Sequence, residues 1–245
     1  MEGKIRNITI ALGICLLLAM IVLGLKSRNA IYTWFLGDVQ TLYMQADSLY
    51  RQKKYEDAAT LYSKLARIDS AKRCQFILGD IYYQGKTGVR NYKKAMKLFL
   101  KSADNGNADS QNNLGYMYTF GYGTSTSVGD AIYWFEKSAS RDNVFALFNL
   151  AVFHIEGHGY PKDLSKGAEL LSRAAELNSP AAQFNLGLMY YFGKGVEKDY
   201  AKAKHLFQQA SAQGHNHALE FLMKVENKEK VSETDSIFDW KLQAI

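Results

Sequence analysis

Leu78, Leu114, Leu150 and Leu186 stand 36 residues apart, and Leu222 continues the series. The residue after each full-copy leucine is small: Gly79, Gly115, Ala151 and Gly187. A loop glycine follows at Gly85, Gly121, Gly157 and Gly193, then a small residue at Ala95, Ala131, Gly167 and Ala203. A bulky residue closes the pattern at Phe99, Phe135, Leu171 and Phe207. Five columns in phase from residue 72 to 215 demand a stack of like units, each packed only on its neighbours. Apolar spacing within a unit is helical, so the leucine and its small follower lie on a first helix and the later columns on a second. Glycine within a helix costs about 1 kcal/mol against alanine, so this column predicts close approach of the second helix's backbone. The loops Gly121-Tyr122-Gly123, Gly157-His158-Gly159 and Gly193-Lys194-Gly195 follow a helix rather than a strand. They read as positive-φ turns ending that helix, not as phosphate cradles.

Residues 180–215 carry the fullest copy: Asn185-Leu186-Gly187, paired Tyr190 and Tyr191, the turn Gly193-Lys194-Gly195 and Lys198-Asp199-Tyr200. This copy resembles the Sel1-like repeat, a relative of the tetratricopeptide repeat. The resemblance implies an all-α, right-handed α-solenoid of helix-turn-helix units, a protein-binding role and no catalytic activity. Residues 71–215 would hold four repeats. Before them, residues 38–70 carry Ala46, Leu49, Tyr55, Ala58, Tyr62 and Leu65 at ordinary tetratricopeptide spacing, a capping hairpin whose Lys53-Lys54 turn lacks the double glycine. After them, residues 216–245 read as a capping helix and a tail. The tail's Ile237-Phe238-Asp239-Trp240-Lys241-Leu242 would either fold back on the array or dock elsewhere.

Residues 8–25, opening on Ile8 and closing on Leu25, are uncharged and nearly all apolar. Eighteen helical residues span about 27 Å, close to the roughly 30 Å of a bilayer's hydrocarbon core. Lys4, Arg6, Lys26 and Arg28 flank the run, and Tyr32, Trp34 and Phe35 stand where an interfacial belt would lie. No small-x-small cleavage site follows the run directly, and Cys15 lies inside it after Ile14, unlike a lipoprotein cysteine. The expectation is an uncleaved single-span anchor, with residues 1–7 as a stub and 26–37 as a linker. The short stub favours export, which places the repeats in the periplasm on the inner membrane. The four flanking cations and Glu2 leave 26 basic and 23 acidic residues beyond them, out of 30 and 24 in the whole chain. The basicity is thus largely a membrane-flank effect and speaks against nucleic acid as a partner.

His154, Glu156 and His158 are spaced unlike a helical zinc-protease motif. His154 shares a column with Tyr82, Tyr118 and Tyr190, so a packing role is expected, and no metal or cofactor is. No serine-histidine-aspartate order stands out. A hydrolase acting on glycan would need paired carboxylates, for which Asp80, Asp109 and Glu156 are candidates on separate repeats. Mapping the tetratricopeptide pattern onto each first helix selects the residues of a concave, partner-binding groove. They are Asp80, Tyr83, Asp109, Tyr116, Phe120, Phe145, Ile155, Leu188, Tyr191 and Phe192. Phe76, Phe148 and Phe184 fall on the same positions and are expected between repeats. The partner is expected to be another protein. Anchored Sel1-like repeat proteins are similar in layout to immunity proteins that neutralise type VI secretion phospholipase effectors. An adaptor for an envelope secretion, motility or polysaccharide assembly is the alternative.

Overall fold

A computed structural model describes residues 39–66 and 72–226. The apolar run 8–25, the juxtamembrane linker and the tail beyond Glu226 lie outside the described residues. Among those described, eleven helices follow one another and no strand occurs. No described helix is long and apolar enough to cross a membrane. The chain divides into two compact units between Val89 and Arg90, inside the first 36-residue copy.

The first unit holds α1 (Val39–Arg51), α2 (Tyr55–Leu65) and α3 (Lys72–Gln84). Ala46 and Ala58 are fully buried, as close packing of the first two helices requires, and Tyr62, Leu65, Cys74 and Ile81 fill the interior. Lys53 takes a left-handed φ of 61° in the turn that lacks glycine. Burial raises the Cys74 thiol to about 11, against the opposing pull of its hydrogen bond with Tyr43.

The second unit holds α4 (Tyr92–Asp104), α5 (Ala108–Phe120), α6 (Val128–Ala139), α7 (Val144–Glu156), α8 (Leu164–Glu176), α9 (Pro180–Phe192), α10 (Tyr200–Ala212) and α11 (Asn216–Glu226). Each helix packs on the next. The starts are built by side-chain caps: Asn91, Asn107, Ser127, Asn143, Asp163, Ser179 and Asp199 each accept a backbone N–H three residues on. Gly121, Gly157 and Gly193 end α5, α7 and α9 in the left-handed conformation. One buried cluster runs through α6 to α9, and a second joins α9, α10 and α11.

The small column works differently from the backbone approach read from sequence. A Cβ on Gly115 would stand 2.5 Å from the Phe135 ring, and one on Gly187 2.6 Å from the Phe207 ring. The glycine receives an aromatic side chain from the second helix. The third copy solves the same volume differently, with Ala151, Gly167 and Leu171, and there Ile155 fills the space over Gly167.

Candidate functional site

In the first unit, Asp80 is buried and receives hydrogen bonds from Tyr50 Oη (3.2 Å), Lys86 Nζ (2.7 Å) and Gln84. Lys86 also donates to the Tyr50 hydroxyl and sits 4.8 Å from that ring's centre. Burial alone would lower the Lys86 pKa, but its bonds to Asp80 and Tyr50 outweigh burial and raise it. Nearby, Tyr62 Oη donates to Asp47 at 2.6 Å, and Arg73 pairs with the same carboxylate at 3.2 Å. A cleft of about 190 Å³ opens between these groups, lined by Asp47, Tyr50, Arg51, Tyr62, Arg73 and Asp80 with Phe76 and Ile77. Both carboxylates are held by cations and tyrosines, so the cleft is a fixed polar network. Tyr83 is half-buried on α3.

In the second unit, the predicted groove residues separate into three groups. Ile155 and Leu188 are core: 6% and 0% exposed, within the two clusters named above. Phe148 and Phe184 are buried too, as expected of residues between repeats. Leu188 clusters with Phe207 of α10 and Phe221 of α11, and Ile155 lies over Gly167 of α8, so both are consumed by packing. Tyr191 and Phe192 meet α11: Tyr191 lies edge-on to Phe221 (5.4 Å between centres), to Tyr200 (5.1 Å) and to Phe192 (4.9 Å). The capping helix thus takes up much of the aromatic surface predicted at this end.

Asp109, Tyr116 and Phe120 remain, spaced i, i+7 and i+11 along α5. That spacing keeps them on one face over about 16 Å. Tyr116 and Phe120 join two aromatics that sequence reasoning missed, Tyr92 and Tyr122. Tyr92 stacks on Tyr122 at 4.7 Å, and Phe120 lies 4.6 Å from Tyr116 and 5.8 Å from Tyr122. Phe120 is 45% exposed. Burial, then Tyr122 and Tyr92, raises the Tyr116 pKa. At the other end of the face, Asp109 is half-buried and accepts from Asn143 Nδ2 at 2.8 Å. Burial raises its pKa, and the Asn143 bond pulls the other way. Among the described residues no ion pair reaches this carboxylate. Phe145, in the Asp109 column one repeat on, is half-buried, and buried Asn149 donates to Asn112 at 2.9 Å between the two helices.

The signal for Tyr92 and Tyr122 was in the columns. Tyr92, Val128, Leu164 and Tyr200 open each second helix with an apolar residue that its own hairpin does not need. The structure gives the reason: the second loop glycine of the next repeat comes down there. A Cβ on Gly123 would lie 2.6 Å from the Tyr92 backbone, on Gly159 2.5 Å from Val128, and on Gly195 2.5 Å from the Leu164 backbone. The histidines have local partners. His154 stacks on Tyr160 at 4.1 Å, and burial lowers its pKa. His158 pairs with Glu156 at 3.2 Å. Among the described residues, no three His, Cys, Asp or Glu side chains gather in a way that could hold a metal ion.

Comparison with known proteins adds the following. A family model described as Sel1 repeat matches residues 72–107, 108–143, 144–179 and 180–215. No curated protein matches. A protective antigen from uropathogenic Escherichia coli displaying an SLR fold is similar at 25% identity and TM-score 0.68; the match covers 86% of this chain and 47% of that one, so this chain spans about half its length. A Sel1 repeat protein from Oxalobacter formigenes is similar in fold at 23% identity and TM-score 0.66, over 76% and 74% of the two chains. An immunity protein from Pseudomonas aeruginosa is similar in fold at 24% identity and TM-score 0.51, over 74% and 70%.

Proposed function

The chain belongs to the Sel1 repeat family, and from that premise we propose that it is a non-catalytic protein-binding module. In this reading residues 8–25 tether it to the inner membrane and the repeats stand in the periplasm. The observation that carries the binding surface is the face of α5. It offers an open aromatic cluster (Tyr92, Tyr116, Phe120 and Tyr122) in line with Asp109, a half-buried carboxylate that no ion pair reaches among the described residues. Aromatic clusters of this kind supply much of the energy at protein interfaces. A partner that sets a lysine or arginine against Asp109 would recover the desolvation that the free protein already bears. The more specific role we propose is that of an immunity protein meeting a phospholipase-type effector at the membrane surface, where a tether is useful. The Pseudomonas aeruginosa likeness is one of fold; the apolar run at residues 8–25 of the sequence is what suggests a tether.

A photo-reactive benzoylphenylalanine placed at Phe120 in the full membrane-borne chain tests this. The control places the same group at Tyr133, exposed on α6. A single stoichiometric protein captured from Phe120 alone, and lost in Asp109→Asn, supports the α5 surface. If that protein is a lipase, the immunity role gains; a set of envelope-assembly proteins instead favours an adaptor. Equal capture from both sites, insensitive to Asp109, removes the proposed surface.

A further inference from the structure

Helices α5, α7 and α9 open on a side chain that accepts the backbone N–H three residues on: Asn107, Asn143 and Ser179. The same column, 36 residues further, holds His215. It caps α11 in the same way, its Nδ1 accepting the Ala218 N–H at 3.2 Å. The three earlier caps accept in their neutral, non-titrating form. An imidazole accepts at Nδ1 only while neutral, because in the cation both ring nitrogens carry protons. A cation at this place also meets the positive end of the α11 dipole. Of the four caps in the column, His215 is thus the one that a proton can break.

The cap has a large share in holding α11, which buries only Ala218 and Phe221. What the helix covers is aromatic: Phe221 lies edge-on to Tyr191 at 5.4 Å and 6.5 Å from Phe192. We propose that α11 is a histidine-latched lid over the last turn of α9, closed while His215 is neutral and loosened when His215 takes up a proton. The surroundings fix the sign. The His215 ring lies 4.6 Å from that of Phe184, and α9 carries no charged residue. The charged or titratable residues of α10, Lys202, Lys204 and His205, stand in its first two turns, away from the end that leads to His215. On α11, His217 is 6.1 Å from His215 between ring centres, Glu220 lies within electrostatic reach of His217 and pairs with Lys224 at 2.9 Å, and Glu226 pairs with Lys204 at 3.2 Å. Phe184 would favour a cation beside it, but the lost cap, the helix dipole and the neighbouring His217 act together against one. The open lid therefore binds more protons than the closed one, so closure weakens as pH falls. It is complete above the ordinary histidine value of about 6.5 and fades below it.

Hydrogen exchange on the full chain in detergent micelles, at about pH 7.5 and about pH 5 and corrected for the intrinsic pH dependence of each amide, tests the latch. Protection in α11 and in the last turn of α9 should fall about fivefold or more at the lower pH, the loss of one helix cap, while α7 and α8 keep theirs. His215→Asn, which copies the caps of α5 and α7, should hold the protection of α11 level across the range. His217→Asn should leave the fall intact. An unaltered chain whose α11 shows no such fall overturns the proposal, and so does a fall that persists in His215→Asn. Loss of the effect in His217→Asn assigns the titration to the other histidine and overturns it too. An equal fall in α7 and α8 means that acid loosens the unit as a whole, with no lid.

Discussion

Each hairpin has a fixed volume to fill, and single residues decide how. Gly115 sits mid-helix because the fully buried Phe135 ring occupies the place of its side chain. Helix propensity alone would favour Gly115→Ala by about 1 kcal/mol. Overpacking a core costs about 1–3 kcal/mol, and the ring is held from behind by Phe153, 5.6 Å away and edge-on. The expected outcome is a lower urea midpoint for Gly115→Ala and recovery of part of the loss in Gly115→Ala, Phe135→Leu, which copies Ala151 and Leu171 of the third repeat but keeps Ala131 where that repeat has Gly167. Asp109 poses an electrostatic counterpart. Its folded-state pKa lies above the ordinary 3.8 because of burial, so between the two values the native chain binds more protons than the unfolded one. Stability then falls as pH rises through that interval, and at neutral pH the charge carries its full penalty. Asp109→Asn keeps an acceptor for Asn143 and removes the charge. It should raise the urea midpoint at pH 7, flatten the acid side of the stability profile and weaken partner capture. A lower midpoint at pH 7 would mean that the carboxylate supports the fold instead of waiting on a partner.

Between elements, the two glycines of each loop do different work, although they look alike in sequence. Gly193 ends α9 at φ 70°, and a Cβ there would meet nothing nearer than 3.4 Å. Gly195 has a similar φ of 68°, but its Cβ would strike the Leu164 backbone of the preceding repeat at 2.5 Å. Left-handed strain costs an ordinary residue about 1–2 kcal/mol, so Gly193→Ala should lose about that much in urea unfolding. Gly195→Ala should lose clearly more and loosen α8 from the loop, visible as faster exchange at the start of α8. Equal losses would show that the second glycine serves its own turn only. Sequence made the helices, the first loop glycine and the alanines of the first hairpin legible, because period and composition report local packing directly. It left Tyr92 and Tyr122 unread because they stack on each other from different repeats, Tyr92 opening a second helix and Tyr122 in the loop of the next repeat. It misplaced Ile155 and Leu188 because a borrowed groove pattern does not show that Ile155 fills the space over Gly167 of its own hairpin or that Leu188 clusters with Phe207 and Phe221. A further column, Gly106, Asp142, Asn178 and Gly214, all left-handed between repeats, was readable as residues that tolerate that conformation and went unused.

Across the second unit, stability should be graded along the array, because each helix packs chiefly on its neighbours. One buried cluster centres on α7, where Ala146 through Phe153 are buried without a break, and it reaches α6, α8 and α9. The end is thinner: α11 buries only Ala218 and Phe221. Phe153 and Phe221 are both aromatic core residues, so truncating either to alanine removes similar contact area, at about 3–5 kcal/mol for a well-packed site. Their consequences should differ with position. Phe153→Ala breaks the middle of the stack and should speed hydrogen exchange together in α6, α7, α8 and α9. Phe221→Ala should speed it in α11 and in the last turn of α9, where Tyr191 and Phe192 lose their cover, and leave α5 and α6 unchanged. A uniform response to Phe221→Ala across the unit would mean that it opens as one cooperative block. The aromatic face of α5 would then be coupled to the state of the far end.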